Sequence, residues 1–193
     1  MRPDILSYKA PRPWYGGDLQ TLRNTILGDQ GDLSAWKTKR LNFLMSDGSG
    51  DRLYAAFNKP HPSTNPNNHK TLILLIHGMS GSENSSTIRK SAQFYLEQGF
   101  QTLRLNLRGA GAFRKSARGT YHAGRSEDLG EVLSQLKPTL ADRCFLVGHS
   151  LGGNMLIKAV SELGDKINSN IPILGAASLC APFNMVDSAV KFS

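Results

Sequence analysis

Long apolar runs are missing from this chain. The longest, Leu72 to Ile76, spans only five residues and is far too short to cross a bilayer. The opening residues Met1-Arg-Pro-Asp-Ile-Leu6 lack the apolar core of a signal peptide. A soluble, cytoplasmic protein is therefore expected. Cysteine is scarce as well. Cys144 and Cys180 both lie in apolar, strand-like stretches, which predicts buried reduced thiols and leaves a disulfide framework unsupported. Acidic residues are outnumbered 15 to 23 by Lys and Arg, giving a net charge of +8. The cations are scattered, densest at Lys37 to Arg40 and between Arg104 and Arg118, with no basic stripe interleaved with aromatics. No nucleic-acid partner is expected, and nothing specific supports peripheral membrane contact. At 193 residues and 39% apolar content, the chain can bury one substantial core.

What is present centres on Gly148-His149-Ser150-Leu151-Gly152-Gly153. It follows the short apolar run Arg143-Cys-Phe-Leu-Val147 and precedes Leu151, Met155, Leu156, Ala159, Val160 and Leu163 at helical spacing. A G-x-S-x-G sequence between a buried strand and an amphipathic helix is a nucleophile elbow, which lifts a serine Oγ above the sheet to attack an acyl carbon. Gly148 and Gly152 are needed where strand and helix backbones come too close for a Cβ. The simpler reading makes Ser150 the N-cap of its helix, but two flanking glycines and the strand-to-helix context favour the nucleophile.

The remaining pattern alternates. Lys39 to Met45 and Leu53 to Phe57 predict a hairpin around Ser46-Asp-Gly-Ser-Gly50, and Pro60 to His69 a polar loop. Thr71 to His77 is a strand buried on both faces. Ile88, Ala92, Tyr95 and Leu96 mark a helix closed by Gly99, and Thr102 to Leu107 the next strand. Leu129, Val132, Leu133 and Leu136 mark another helix, with Ser126, Glu127 and Asp128 in its first turn. The elbow strand and its helix follow, then a strand over Ile173 to Cys180. This order predicts an α/β-hydrolase fold, a mostly parallel sheet with helices on both faces and an N-terminal antiparallel hairpin. Residues 1–37 read as a separate N-terminal segment, and 38–193 as a partial domain lacking its C-terminal strands.

Acyl transfer needs donors for the carbonyl oxygen that becomes an oxyanion. One is expected from the backbone N–H of Leu151, at the positive end of its helix. The other is expected from the loop His77-Gly78-Met79-Ser80-Gly81, with the N–H of Met79 as the candidate. Other motifs fail. Arg114 occupies the third glycine position after Gly109-Ala110-Gly111, so a dinucleotide site is not expected, and no P-loop lysine follows Gly78 to Gly81. Asn84-Ser85-Ser86 fits a glycosylation sequon, which without a secretory signal carries no weight.

Taken together, these motifs resemble the YheT-like α/β-hydrolase esterases, also called the AB-hydrolase-4 family. The resemblance rests on His77 to Ser82, Asn106-Leu-Arg-Gly-Ala-Gly111, Tyr121-His-Ala-Gly124 with Glu127-Asp-Leu129, and Gly148 to Asn154 with Lys158. Gly17-Asp-Leu-Gln-Thr-Leu22 is similar to the family's N-terminal segment, although members commonly carry histidine where Asp18 stands. The resemblance implies a serine hydrolase of carboxylic esters with short- or medium-chain acyl groups or lipid-like substrates, using no cofactor or metal. Histidine would take the serine proton, an acyl-enzyme would form, and water would release the acid.

The triad acid and histidine are not evident. The expected order is Ser, then Asp or Glu, then His, yet His61, His69, His77, His122 and His149 all precede Ser150. His149, the elbow neighbour, is expected to point away from the nucleophile. The acids after the serine are Glu162, Asp165 and Asp187, of which Asp187 reads as a helix-end or surface residue. Two expectations follow. One is an N-terminal portion of a serine esterase whose base lies further along, making this chain alone inactive. The other is a noncatalytic product that keeps the elbow as a relic and acts at most as a binding module.

Overall fold

A computed structural model describes residues 9–16, 19, 23, 30–164 and 169–184. Most of the Gly17 to Leu22 segment, the side chain of Leu163, and both Asp165 and Asp187 lie outside the described residues. The chain divides into two compact units, residues 1–30 and 31–193. In the first, the N–H groups of Trp14 and Tyr15 donate to Pro11 and Pro13, and Arg12 Nε donates to Tyr15 Oη at 2.8 Å. The second unit carries the sheet. Leu33 and Trp36, which precede the sequence-based boundary at 37, pack in its core.

Among the described residues of the second unit, six strands and three helices run in the order β1 (Thr38–Leu44), β2 (Arg52–Asn58), β3 (Thr71–Ile76), α1 (Ser86–Glu97), β4 (Gln101–Asn106), α2 (Glu127–Gln135), β5 (Arg143–His149), α3 (Leu151–Leu163) and β6 (Ile173–Leu179). Short 3-10 turns occupy Pro66–Asn68 and Gly111–Ser116. The spatial order is β1-β2-β4-β3-β5-β6. The β1/β2 and β2/β4 pairs are antiparallel and the other three parallel. The architecture agrees with the fold expected from sequence.

Burial explains the layering. β3 is apolar at five of six positions and buried throughout, as a central parallel strand flanked by helices must be. Ile88, Ala92 and Leu96 place one stripe of α1 against Ile73, Leu75 and Val147. Leu129, Val132 and Leu133 of α2, with Met155 and Leu156 of α3, cover Leu72, Leu74 and Ile76 on the opposite face. Each such leucine taken fully out of water contributes roughly 1.5–3 kcal/mol before entropy is counted.

The two sheet edges differ. On β1, the Leu44 N–H donates to Gln135 Oε1 at 3.1 Å and Gln135 Nε2 donates to the Leu44 carbonyl at 2.8 Å, so an α2 side chain satisfies edge backbone that would otherwise invite pairing. β6 has no strand beyond it among the described residues, and Leu174 and Leu179 are exposed along it. One sequence expectation is corrected there: Cys180 is exposed rather than buried, because among the described residues nothing stands over it; Val160 of α3 is exposed as well. Cys144 is buried as expected, and burial pushes its thiol up to about 11. Both cysteines are unpaired.

Candidate active site

At the end of β5, Ser150 adopts φ 52 and ψ −122, a conformation that side-chain-bearing residues rarely take. Holding it there costs of order 1–3 kcal/mol. The surroundings enforce it. A Cβ at Gly148 would meet the Gly152 carbonyl oxygen at 2.5 Å and Gly153 Cα at 2.7 Å, while one at Gly152 would meet the His77 carbonyl oxygen at 2.4 Å. The Ser150 N–H donates to the Leu179 carbonyl at 2.8 Å, and its own carbonyl accepts the N–H groups of Gly153 and Asn154. Its hydroxyl caps nothing in the helix. Ser150 thus occupies an N-cap position without doing a cap's work, and remains exposed.

The loop after β3 lies directly against it. A Cβ at Gly78 would stand 2.9 Å from Ser150 Cβ and 3.4 Å from Ser150 Oγ. The Gly81 N–H donates to the Gly78 carbonyl at 3.2 Å, closing a turn with Met79 and Ser80 at its centre. Met79 is 68% exposed. Among the described residues, the N–H groups of Met79 and Leu151 have no acceptor. Two backbone N–H groups near the serine are therefore without an acceptor among the described residues, one at the start of α3 and one in the loop after β3.

Beneath the loop, His77 is fully buried. Its Nδ1 lies 2.8 Å from the Gly78 carbonyl oxygen and its Nε2 accepts the Leu107 N–H at 3.1 Å, an arrangement that places the proton on Nδ1. Burial, only partly opposed by the Gly78 carbonyl, holds its pKa below the ordinary 6.5. His149 turns toward α1, with Nε2 3.3 Å from Ser91 Oγ, and burial lowers its pKa too. Neither is arranged as a base for Ser150. Because both folded-state pKa values are lowered, the unfolded chain takes up more protons below about pH 6.5. Stability attributable to these rings is present above that pH and lost below it. The thermal midpoint should fall between about pH 7.5 and about pH 5.5; a midpoint that does not move would show that burial does not favour the neutral rings.

The other histidines are engaged or exposed. His69 Nε2 contacts Thr64 Oγ1 at 3.0 Å, His122 Nδ1 accepts the Gly124 N–H, and His61 is exposed. Glu162 pairs with Lys158 on α3, whose hydrogen bond holds its carboxyl below the usual range, and reaches Ser126 Oγ at 3.1 Å. It joins α3 to the start of α2 rather than facing Ser150. Among the described residues, no group of three or more His, Cys, Asp or Glu is arranged to hold a metal ion. No described helix is long and apolar enough to cross a membrane.

Two polar networks supporting this site escape a reading of the sequence. In one, Glu83 is buried just after the turn. It pairs with Arg40, its N–H donates to Asn106 Oδ1 at 2.8 Å, and its carbonyl accepts Arg104 Nη1 at 2.9 Å. Burial brings Arg104 down to about 10, with Glu83 opposing the shift. In the other, Arg108 makes two bonds to Asp128 and reaches Asp47 and Asp51. Arg108 and Asp128 belong to recognisable motifs, but Asp47 and Asp51 look like turn formers and nothing local marks them as its partners.

Residues 67–189 match the family described as serine aminopeptidase, S33, which covers more than half of the chain. The chain is 33% identical over 124 residues to medium-chain fatty acid ethyl ester synthase/esterase 2 of Saccharomyces cerevisiae, covering 63% of this chain and 27% of that protein. It is 30% identical over 121 residues to the E. coli protein named "Putative esterase YheT", covering 60% of this chain and 33% of that one. The chain thus spans about a third or less of the length of these relatives. The structure of an esterase from Pyrococcus furiosus superposes with a TM-score of 0.63 at 18% identity, over 82% of this chain and 56% of that one, a likeness of fold. The chain therefore belongs to the hydrolase family described as serine aminopeptidase, S33, has the α/β-hydrolase fold, and is similar in sequence to the YheT relative.

Proposed function

We propose that this chain carries the nucleophile half of a serine hydrolase acting on carboxylic esters. Ser150 attacks the acyl carbon, and the N–H groups of Leu151 and Met79 hold the oxyanion. The observation that carries the reading is Ser150 itself, strained at φ 52 with an exposed hydroxyl that caps nothing and lies against Gly78. A fold keeps a strained residue where the surroundings over-determine it, and such residues gather at active sites. Relatives named as esterases support ester over amide substrates, and the yeast relative's name points to medium-chain acyl groups. The substrate on this reading is a small-molecule or lipid-like ester, with no cofactor. Two unpaired cysteines fit a cytoplasmic setting.

One observation favours the second reading, a noncatalytic binding module. All five histidines precede Ser150, and the two nearest the elbow are committed elsewhere. The esterase reading therefore requires a base from outside residues 1–193, which sequencing the gene past Ser193 tests directly. A fluorophosphonate probe should label Ser150 in the longest product of the gene. Ser150→Ala should abolish labelling and cut hydrolysis of p-nitrophenyl butyrate by at least about 10³-fold. Undiminished labelling of the alanine variant would refute the assignment. An aminoacyl p-nitroanilide tested alongside separates ester from peptide-bond hydrolysis.

A further inference from the structure

We infer that Tyr121 is a positioning residue for the oxyanion turn, a role that rests on the proposed reading of Ser150 and Met79. The turn from Gly78 to Gly81 has the N–H of Ser80 in its central peptide, and Ser80 has φ 55. Turns of this kind normally place glycine at that third position, because a side chain disfavours positive φ. A serine there would readily relax into the alternative orientation of the central peptide. Tyr121 opposes that relaxation. Its hydroxyl oxygen accepts the Ser80 N–H at 2.8 Å, a bond available only while the peptide points toward it.

The acceptor is itself fixed. The Tyr121 ring meets His77 edge-on, with centroids 5.6 Å apart and planes at 89°. The Tyr121 N–H donates to the Arg108 carbonyl at 3.0 Å. Just upstream, the N–H groups of Arg118 and Gly119 donate to the Asp51 carboxylate at 2.7 and 3.0 Å, the same carboxylate that Arg108 Nη1 contacts. The buried Arg108 cluster therefore sets where Tyr121 stands, and Tyr121 sets the turn that presents Met79. Preorganised donors stabilise an oxyanion because they need not reorient during the reaction. Tyr121 touches no reacting atom and acts through the turn.

The test uses the longest gene product and p-nitrophenyl butyrate. Deleting one oxyanion donor costs about 10²–10³-fold in kcat, and misplacing one costs less, so Tyr121→Phe should lower kcat by about 10- to 100-fold with KM within about twofold. The pH profile should keep its shape, since the hydroxyl moves no proton. Exchange of the Ser80 amide hydrogen should speed up at least about tenfold, readable in the 193-residue chain alone. Adding Ser80→Gly to Tyr121→Phe should recover at least about half of the lost kcat on a logarithmic scale, because glycine takes positive φ without help. An unchanged kcat, a displaced alkaline limb, or no rescue by Ser80→Gly overturns the inference. Ser150→Ala, run in parallel, separates the cases. If it abolishes turnover while Tyr121→Phe has no effect, only the role of Tyr121 falls; if it leaves turnover intact, the nucleophile reading falls first.

Discussion

Replacing Arg108 with methionine is expected to lower the free energy of unfolding by about 3–5 kcal/mol, the usual cost of removing one partner from a buried ion pair. Arg108 is 1% exposed and sits among three carboxylates. Its Nε and Nη2 grip Asp128 at 2.9 and 2.6 Å, a two-pronged pairing that only a guanidinium makes. Nη1 reaches Asp47 at 2.7 Å, Ser49 Oγ at 3.0 Å and Asp51 at 3.2 Å. Methionine fills similar space and strips the buried Asp51 and Asp128 of this guanidinium, leaving Asp128 only the looser contact with Arg125 Nε at 3.6 Å. Asp47 is more exposed and water screens it, so Asp47→Asn should destabilise the fold far less than Arg108→Met. In a chain this long, the Arg108→Met loss corresponds to a thermal midpoint lowered by roughly 6–20 °C.

The same cluster gives a signed acid dependence. The hydroxyl and backbone N–H of Ser49, aided by Arg108, hold Asp47 down at about 2. Burial would raise Asp51, but the N–H groups of Arg118 and Gly119, together with Arg108, bring it below the ordinary value. Lowered carboxylate pKa values stabilise the fold above about pH 4, and that contribution disappears as pH falls toward 2. Without Arg108 the carboxylates are less depressed, so the gap between variant and wild type should narrow across that window. Urea titrations at about pH 7 and about pH 3 measure it. A difference under about 1 kcal/mol at neutral pH would mean that water already hydrates the cluster.

Elements whose cause is local were legible in the sequence. β3 and β5 announce themselves by unbroken apolar runs, α1 by Ile88, Ala92 and Leu96 at four-residue spacing, and the elbow by glycines that backbone contact requires. The supports of the site have causes distant in the chain. Asp47 and Asp51 meet Arg108 across 61 and 57 residues, and Tyr121 meets Ser80 across 41. Nothing in their own neighbourhoods distinguishes a turn aspartate from a buried counter-ion. The misjudged exposure of Cys180 has a physical source. Apolar composition records which face of an element is greasy, but burial depends on whether another layer stands over that face, and β6 is the last strand of the sheet among the described residues.

At the elbow, the expected result of Gly152→Ala is a loss of at least about 3 kcal/mol, the upper end of the usual overpacking range. The new methyl would lie 2.4 Å from the His77 carbonyl oxygen and 2.8 Å from both the Ile76 carbonyl oxygen and Ile76 Cγ2. The Ile76 side chain can rotate away, but the two carbonyls belong to the last residue of β3 and the residue that follows it, and cannot. Helix α3 must then back away from the strand that carries the β3 loop. That retreat would part Ser150 from Gly78, so fluorophosphonate labelling should drop further than the folded fraction does, at a temperature where both proteins are native. Gly48→Ala provides the contrast. At φ 76 with nothing within 4 Å of its Cβ, it carries only the backbone penalty, about 1 kcal/mol, and should label normally. Equal stability losses in the two variants would mean that contact between α3 and β3 does not hold the elbow; a larger loss at Gly152 with labelling intact would mean that it holds the fold without setting the serine's geometry.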